Sequence, residues 1–537
     1  MKKIILQGVF GFLGLALIAN CGGSSVATSP GATGSSDITV TLPSDIVISS
    51  PTAEASTATL NLARKGVGDA DGNDYIAKKE ALQALITGDG DCSFTIDLPD
   101  VTSPDCYGPD VTYTGHLDIG GGQNQPNGQL PVGDVGIWNT TDENDEACAA
   151  AKMNELVDKS VAYVDNAIKT VGSMACAAKK ADIGLPAVSD ASEDLKAAMD
   201  TNVDATGLTV DSATLDRLPD SDGDPVYQST VAGTMTLGND DKDTTITLTH
   251  IPTADDNSTY KGKLQVKMSS SNSQFGNNCS GINQAAQQTG TTVAGVILYE
   301  KTSATSVTYE FNFAQFCGSD ADPFDDNGNL DPANAAAQNN QQGGAPTNPN
   351  GWADNWNYGI FNFDPTAGVG NFAYAWQAGT GDQRTRALNL TTVADADGNV
   401  TGTAYYGFGP DIATATADTK GTIDGFVCNW AGPNGAISQQ DRSASHLGNA
   451  LSIAQKQTMS RAAGATLFTS DSANITYAVA NSCSATIGDN FVYFADDGHG
   501  QARGDTNDRA NDSAAVTPDL VPLADVDFTK PTPPTDL

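Results

Sequence analysis

The sequence predicts an α+β protein: an N-terminal helical region with one long amphipathic helix, followed by a large antiparallel β-sheet, curved or barrel-like. Three observations predict it. Apolar residues recur in steps of three and four from Met153 to Ala178, they alternate with polar residues in many short runs after Gly207, and few helical patterns interrupt those runs. At 537 residues the chain is long enough to bury a large core.

Residues 1–20 read as an export signal. Lys2 and Lys3 give a cationic start, and an apolar run from Ile4 to Ala19, broken only by Gln7, follows it. The run falls short of the ~20 apolar residues that cross the hydrocarbon core, so it is a processing segment and not part of the fold. It ends Leu17-Ile18-Ala19-Asn20-Cys21, which resembles the lipobox of bacterial lipoproteins, with Asn20 where Gly, Ala or Ser is usual. The resemblance implies that the Cys21 thiol is acylated and that the membrane is a partner through this N-terminal lipid. Gly22 rather than Asp after the Cys implies, by the same resemblance, the outer membrane or cell surface. Residues 21–55 are dominated by Ser, Thr, Gly, Ala and Pro and read as a disordered tether.

Residues 56–205 form the expected helical, disulfide-bonded region. It opens on Asp69-Ala70-Asp71-Gly72-Asn73-Asp74-Tyr75-Ile76-Ala77-Lys78-Lys79-Glu80. Hard cations take six to eight oxygens, and Asp69, Asp71, Asn73, the Tyr75 carbonyl and Glu80 stand at the spacing that supplies them. The run resembles an EF-hand loop, which implies calcium, although Asp74 occupies the place of the Gly that makes the sharp turn. The plainer reading is an Asx-type turn leading into a helix from Tyr75 to Ile86, with Ala77, Ala81 and Leu85 inward. A second helix is expected to start near Thr141 as N-cap, with Asp142 and Glu143 in its first turn. Its stripe runs Met153, Val157, Val161, Val164, Ile168, Val171, Met174 and Ala178.

Besides Cys21 the chain has Cys92, Cys106, Cys148, Cys176, Cys279, Cys317, Cys428 and Cys483, an even number that suits disulfides in an exported protein. None stands in a C-x-x-C spacing, which argues against zinc ribbons and c-type haem. Cys148 and Cys176 on one straight helix would lie roughly 40 Å apart at 1.5 Å per residue, far beyond the ~7 Å between bridged Cα atoms. Their partners should therefore be Cys92 and Cys106, unless the helix breaks at Gly172.

Residues 206–495 are expected to form the antiparallel sheet. In Tyr260–Met268 one face carries Tyr, Leu, Val and Met and the other three Lys and a Gln, the pattern of a half-buried strand. Val307 to Phe313 alternates likewise and pairs in a hairpin with Val296 to Tyr299. Further strands are expected at Val231 to Leu237, Thr245 to Ile251, Gly359 to Phe363, Phe372 to Gln377, Arg386 to Thr392, Val400 to Phe408, Ile423 to Trp430, Ile475 to Val479 and Phe491 to Phe494. A long loop, 320–357, is rich in Asn, Gln, Gly and Pro, and such loops are functional or disordered. At its end Trp352, Trp356 and Tyr358 lie among Asn350, Asp354 and Asn357, a composition suited either to binding a sugar or partner or to anchoring the loop. Residues 496–537 read as a disordered acidic tail.

The formal net charge of −38 repels phosphate backbones and excludes nucleic acid as a partner. Asp-rich turns at Asp220 to Asp224, Asp325 to Asn329 and Asp395 to Asn399 suit hairpin chemistry first and calcium second. The histidines, His116, His250, His446 and His499, stand apart, with no zinc-protease or nucleophile-elbow motif. His250 shares a face with Ile246 and Leu248, so it reads as packed and not as a base. Beyond the signal, the Cys spacing and β-rich body resemble those of large surface lipoproteins of Gram-negative bacteria, which implies display and no particular activity. Three functions follow: a non-enzymatic surface protein that binds a protein, glycan or cation; a carrier of a hydrophobic ligand or lipid; and an extracellular hydrolase with two carboxylates ~5 to 10 Å apart across a cleft.

Overall fold

The computed structural model describes residues 38–48, 75–88, 91–96, 111–113, 146–188, 191–237, 240–254, 256–270, 291–317, 323–330, 357–365, 367–377, 385–409, 453–470, 476–479, 491–495, 514–516, 520–522, 534 and 537. Most of them belong to antiparallel sheet, and helices are few. Eleven strands follow one another as neighbours: β1 Leu208–Ser221, β2 Asp224–Leu237, β3 Asp240–Pro252, β4 Tyr260–Ser270, β5 Thr291–Ser303, β6 Ser306–Cys317, β7 Asn357–Asp364, β8 Val369–Gln377, β9 Thr385–Ala394, β10 Val400–Gly409 and β11 Ile453–Arg461. Glu193–Asp194 extends this sheet beside β1, while Thr476–Val479 and then Leu520–Pro522 extend it beside β11; no described pairing joins the two ends. Phe491–Ala495 pairs in a separate three-stranded sheet with Val111–Tyr113 and Ala514–Val516.

One face of the sheet is apolar. Tyr299 in β5, Tyr309 in β6, Phe361 in β7, Phe372 in β8 and Leu390 in β9 stand directly opposite one another, all buried. Glycines interleave with these rings: Gly262 faces Tyr299, Gly295 faces Phe313 and Gly359 faces Phe311. A Cβ at any of the three would fall inside the facing ring, so the rings lie over bare backbone.

Among the described residues three α-helices accompany the sheet: α1 Tyr75–Thr87, α2 Cys148–Lys180 and α3 Lys196–Asn202. Helix α2 touches β2, β3, β4 and β9 on the sheet side and α1 and α3 elsewhere. It is buried along most of its length, including Glu155, Asn166 and Thr170. The helix begins at Cys148 and not near Thr141, and Ala147 at its N-cap supplies no side-chain oxygen. Its first-turn donors are satisfied from the far end of the sheet instead. The Ala149 N–H donates to Gln457 Oε1 at 2.8 Å, and the Ala147 N–H donates to the Phe468 carbonyl at 2.7 Å.

The helix runs unbroken through Gly172, where α1 crosses closely: a Cβ there would lie 3.0 Å from Leu82 and 3.1 Å from Leu85. Leu82 and Ile86 are the buried residues of α1, whereas Ala81, expected inward, is exposed. A disulfide joins Cys92 to Cys176 with Cα atoms 5.6 Å apart. Cys148 is disulfide-bonded as well, and its expected partner Cys106 lies outside the described residues, as do Cys279, Cys428 and Cys483.

Several expected boundaries change. The tether does not extend to residue 55: Ile38–Thr41 forms a short 3-10 helix, and Ile38, Leu42, Ile46, Val47 and Ile48 are buried in the core. The helical region and the sheet share one hydrophobic cluster within one compact unit, Asp37–Leu537. The tail contributes Ala514–Val516 and Leu520–Pro522 as short strands, at its few apolar clusters. The strand expected at 423–430 lies outside the described residues.

Two strands escape the periodicity. A bulge at Val210/Ser212 breaks the alternation of β1, and β11 turns Gln457 and Arg461 toward the core. Replacing Gln457 by Ala should therefore destabilise the fold by about 1–2 kcal/mol, the cost of an unsatisfied buried cap, while Gln457→Glu keeps an acceptor at the positive helix end and should cost less. Urea unfolding of the two variants checks this; equal losses would show that the cap bond is immaterial.

Candidate binding face

The face of the sheet opposite α2 carries a continuous row of residues paired strand to strand: Asp216, Gln228, Thr249, Lys263, Leu298, Glu310, Ile360, Ala373 and Asn389. On β1 to β3 the row is polar, as a solvated face should be. From β5 onward it is buried: Leu298, Glu310, Ile360 and Ala373 are covered, and Asn389 is 4% exposed. A parallel row runs Gln265, Val296, Asn312, Tyr358 and Ala375.

Part of the cover is the segment 323–330, bridged between Phe324 and Leu330. Its turn is closed on itself, with Asp325 Oδ1 accepting from the N–H groups of Asn327 and Asn329, both at 2.8 Å. The outward oxygens of the turn are taken by the sheet. Lys263 Nζ donates to the Asn327 carbonyl at 3.1 Å and to Asn329 Oδ1 at 3.0 Å, and Gln265 Nε2 donates to the Gly328 carbonyl at 2.9 Å. A lysine ammonium thus sits where a bound cation would, among three turn oxygens that it and its neighbour Gln265 fill.

The turn Asp395 to Asn399 has the same internal wiring. Asp395 Oδ1 accepts from the Asp397 and Asn399 N–H groups, and Oδ2 accepts from Asn399 Nδ2 at 3.0 Å. These bonds, the Asn399 side chain foremost, hold the Asp395 carboxyl below the usual carboxylate range. At Asp220 to Asp224 the chain makes a two-residue hairpin, with Asp222 and Gly223 at positive φ and Arg217 paired to Asp220. Among the described residues no three His, Cys, Asp or Glu side chains gather as a metal site.

On the covered part of the face, Asn389 has no hydrogen-bond partner for either amide atom among the described residues, and neither has Asn312 Oδ1. A buried amide left unpaired costs about 1–3 kcal/mol for each lost bond, and native structures hold few such groups. These asparagines were not singled out by the sequence, where an Asn in the polar phase of a strand reads as solvated. A sequence signal did exist: Val296-Ile297-Leu298 and Gly359-Ile360-Phe361 are apolar in both phases, the mark of strands covered on both faces.

The other candidate residues are placed as follows. Tyr358 pairs in β7 with Asn312, which puts it at the edge of the unpaired amides; its side chain, Trp352 and Trp356 lie outside the described residues. Tyr75 opens α1 and Glu80 is exposed on it, while Asp69, Asp71 and Asn73 lie outside the described residues, as does Cys21. No protein-family profile, curated protein or solved structure matches this chain. Among the described residues, no helix is long and apolar enough to cross a membrane.

The one buried histidine among the described residues is engaged on both ring nitrogens. His250 Nδ1 lies 3.0 Å from the Tyr299 hydroxyl and Nε2 lies 2.9 Å from Asn257 Oδ1. Burial drives its pKa down to about 4, against the opposing pull of the Asn257 bond and the Asp45 charge. It is a packed, neutral ring.

Two predictions follow from these groups. The unfolded chain protonates His250 near the ordinary value of about 6.5, so between that pH and about 4 the unfolded state binds the extra proton and stability falls as pH drops. The loss should reach about 3 kcal/mol by pH 4 and be absent above pH 7. Urea unfolding at pH 7 and pH 4.5 should show a smaller acid loss in His250→Gln than in the parent, and identical losses would refute the assignment. For the turns, calcium or chelator should leave the melting temperature unchanged, because backbone donors and Lys263 already fill their oxygens. A calcium-dependent rise that survives Asp325→Ala and Asp395→Ala would place a cation at Asp69 to Glu80.

Proposed function

We propose that this chain is an exported lipoprotein, held at the outer membrane or cell surface through Cys21, and that it works as a non-enzymatic binding protein for a glycan. The observation that carries the binding reading is Asn389, buried with neither amide atom paired, together with the unpaired Oδ1 of half-buried Asn312, on the sheet face opposite α2. Sugar hydroxyls both donate and accept, which is what an amide with neither atom satisfied requires. Tyr358, whose backbone pairs with Asn312, and Trp352 and Trp356 just ahead of it in the chain are residue types whose rings stack on a pyranose. The anchor reading is supported by Lys2, Lys3, the apolar run and the lipobox-like end at Cys21. We also read the sheet as curled about α2, since α2 touches β2 to β4 and β9 and is capped from β11.

The carrier reading is less favoured. The apolar face that a carrier would leave open to its ligand is packed against α2 and Ile38–Ile48. The hydrolase reading is less favoured as well, because the acid of the covered row, Glu310, is buried on the sheet.

Replacing Asn389 by Leu separates binding from architecture. The change removes an unpaired amide, so it should raise stability by about 1–2 kcal/mol while lowering affinity for a glycan ligand at least tenfold. Binding of the parent to an array of bacterial and host glycans, followed by titration of Asn389→Leu and of Trp352→Ala/Trp356→Ala, is the measurement. Absence of any glycan binding, or binding indifferent to Asn389, would refute the reading. Cys21→Ala should abolish incorporation of labelled fatty acid and leave the protein in the soluble fraction.

A further inference from the structure

The segment Ile38–Ile48 is held as a docked peptide is held. Ile38, Leu42, Ile46, Val47 and Ile48 are buried, and the segment lies against α2, β2 and β3. Its polar groups are met by residues far along the chain. Asp45 Oδ1 accepts from the Tyr260 hydroxyl at 2.9 Å, and Asp45 Oδ2 pairs with Lys301 and stands 3.8 Å from Lys79 Nζ. The Tyr309 hydroxyl reaches the Val47 carbonyl at 3.2 Å, and Lys78 Nζ reaches the Ile48 carbonyl at 3.1 Å. The seat is thus built from α1, β4, β5 and β6, with a carboxylate at its centre, one half-buried lysine beside it and a second nearby.

We propose that Ile38–Ile48 is a self-docking peptide: the seat binds this segment strongly enough that the body keeps hold of its own anchor-proximal chain even when the two are no longer covalently joined. Apolar burial at five positions supplies affinity, and Asp45 supplies register, because a slip by one residue would bury an unpaired carboxylate. The role for membrane attachment rests on the lipid anchor proposed at Cys21, but the docking itself does not. With the segment seated, only residues 22–37 separate the lipid from the core, a reach of at most roughly 55 Å at 3.3–3.6 Å per residue. The body is tied to the bilayer through the middle of its core and not through a loose end.

The test is to insert a specific protease site between Ala55 and Ser56 of the full chain, cut the folded protein and follow the fragment that ends at Ala55. The fragment should co-elute with the body under native conditions and separate in denaturant, and in membrane fractions the cut body should still pellet. Asp45→Asn and the milder Lys79→Ala should speed release, Asp45→Asn by more than tenfold. Release of the parent fragment during native chromatography would overturn the proposal, as would equal release rates in parent and Asp45→Asn. Co-elution without pelleting would leave the docking intact and count against the lipid at Cys21, so the two readings fail separately.

Discussion

A helix that is buried along its length has to find partners for its end groups inside the protein, and much of this structure follows from that requirement on α2. The first-turn amides of α2 meet no capping Ser, Thr, Asp or Asn. That of Ala149 is met by Gln457 on the last long strand, which is itself steadied by a 3.2 Å bond from its Nε2 to Ser470 Oγ. The bond between residues 149 and 457 joins segments 308 positions apart in sequence. Within the helix, Thr170 donates back to the Asn166 carbonyl and Lys152 pairs with Glu155.

The sheet was legible in the sequence wherever one face is wet. Tyr260–Ser270 and Asp240–Pro252 alternate because Lys, Thr and Asp occupy the phase away from α2. Legibility fails where the environment departs from that simple division. β11 sends Gln457 inward to serve a helix 308 positions away in sequence, so its inward phase reads as polar. β1 carries a bulge and an interior proline, Pro219, at the sheet edge, where proline is tolerated. The segment Ile38–Ile48 was hidden by its surroundings, since a Ser/Thr-rich stretch masks a short apolar run whose partners lie more than two hundred residues away.

The binding face was harder still to read. Nothing local distinguishes Asn389 from any amide on a solvated strand; what sets it apart is that Ala373 beside it and Ile360 one strand further are fully buried. Its significance depends on the pairing of four strands. The Asp-rich turns gave the opposite experience, with a cation-like signature at Asp325 to Asn329 that tertiary structure fills with Lys263. Whether such a loop binds a metal is decided by what approaches it from outside the loop.

The glycines beneath Tyr299, Phe313 and Phe311 carry a consequence for how this protein can change over time. Each ring occupies the volume that a side chain on its partner strand would need, so neither member of a pair can be altered in size without the other. Three such pairs on four adjacent strands share Phe311 and Phe313 on one strand, which couples them further. In distant relatives these six positions should drift as a block, and a conserved ring facing a conserved glycine would trace this sheet after the rest of the sequence has diverged.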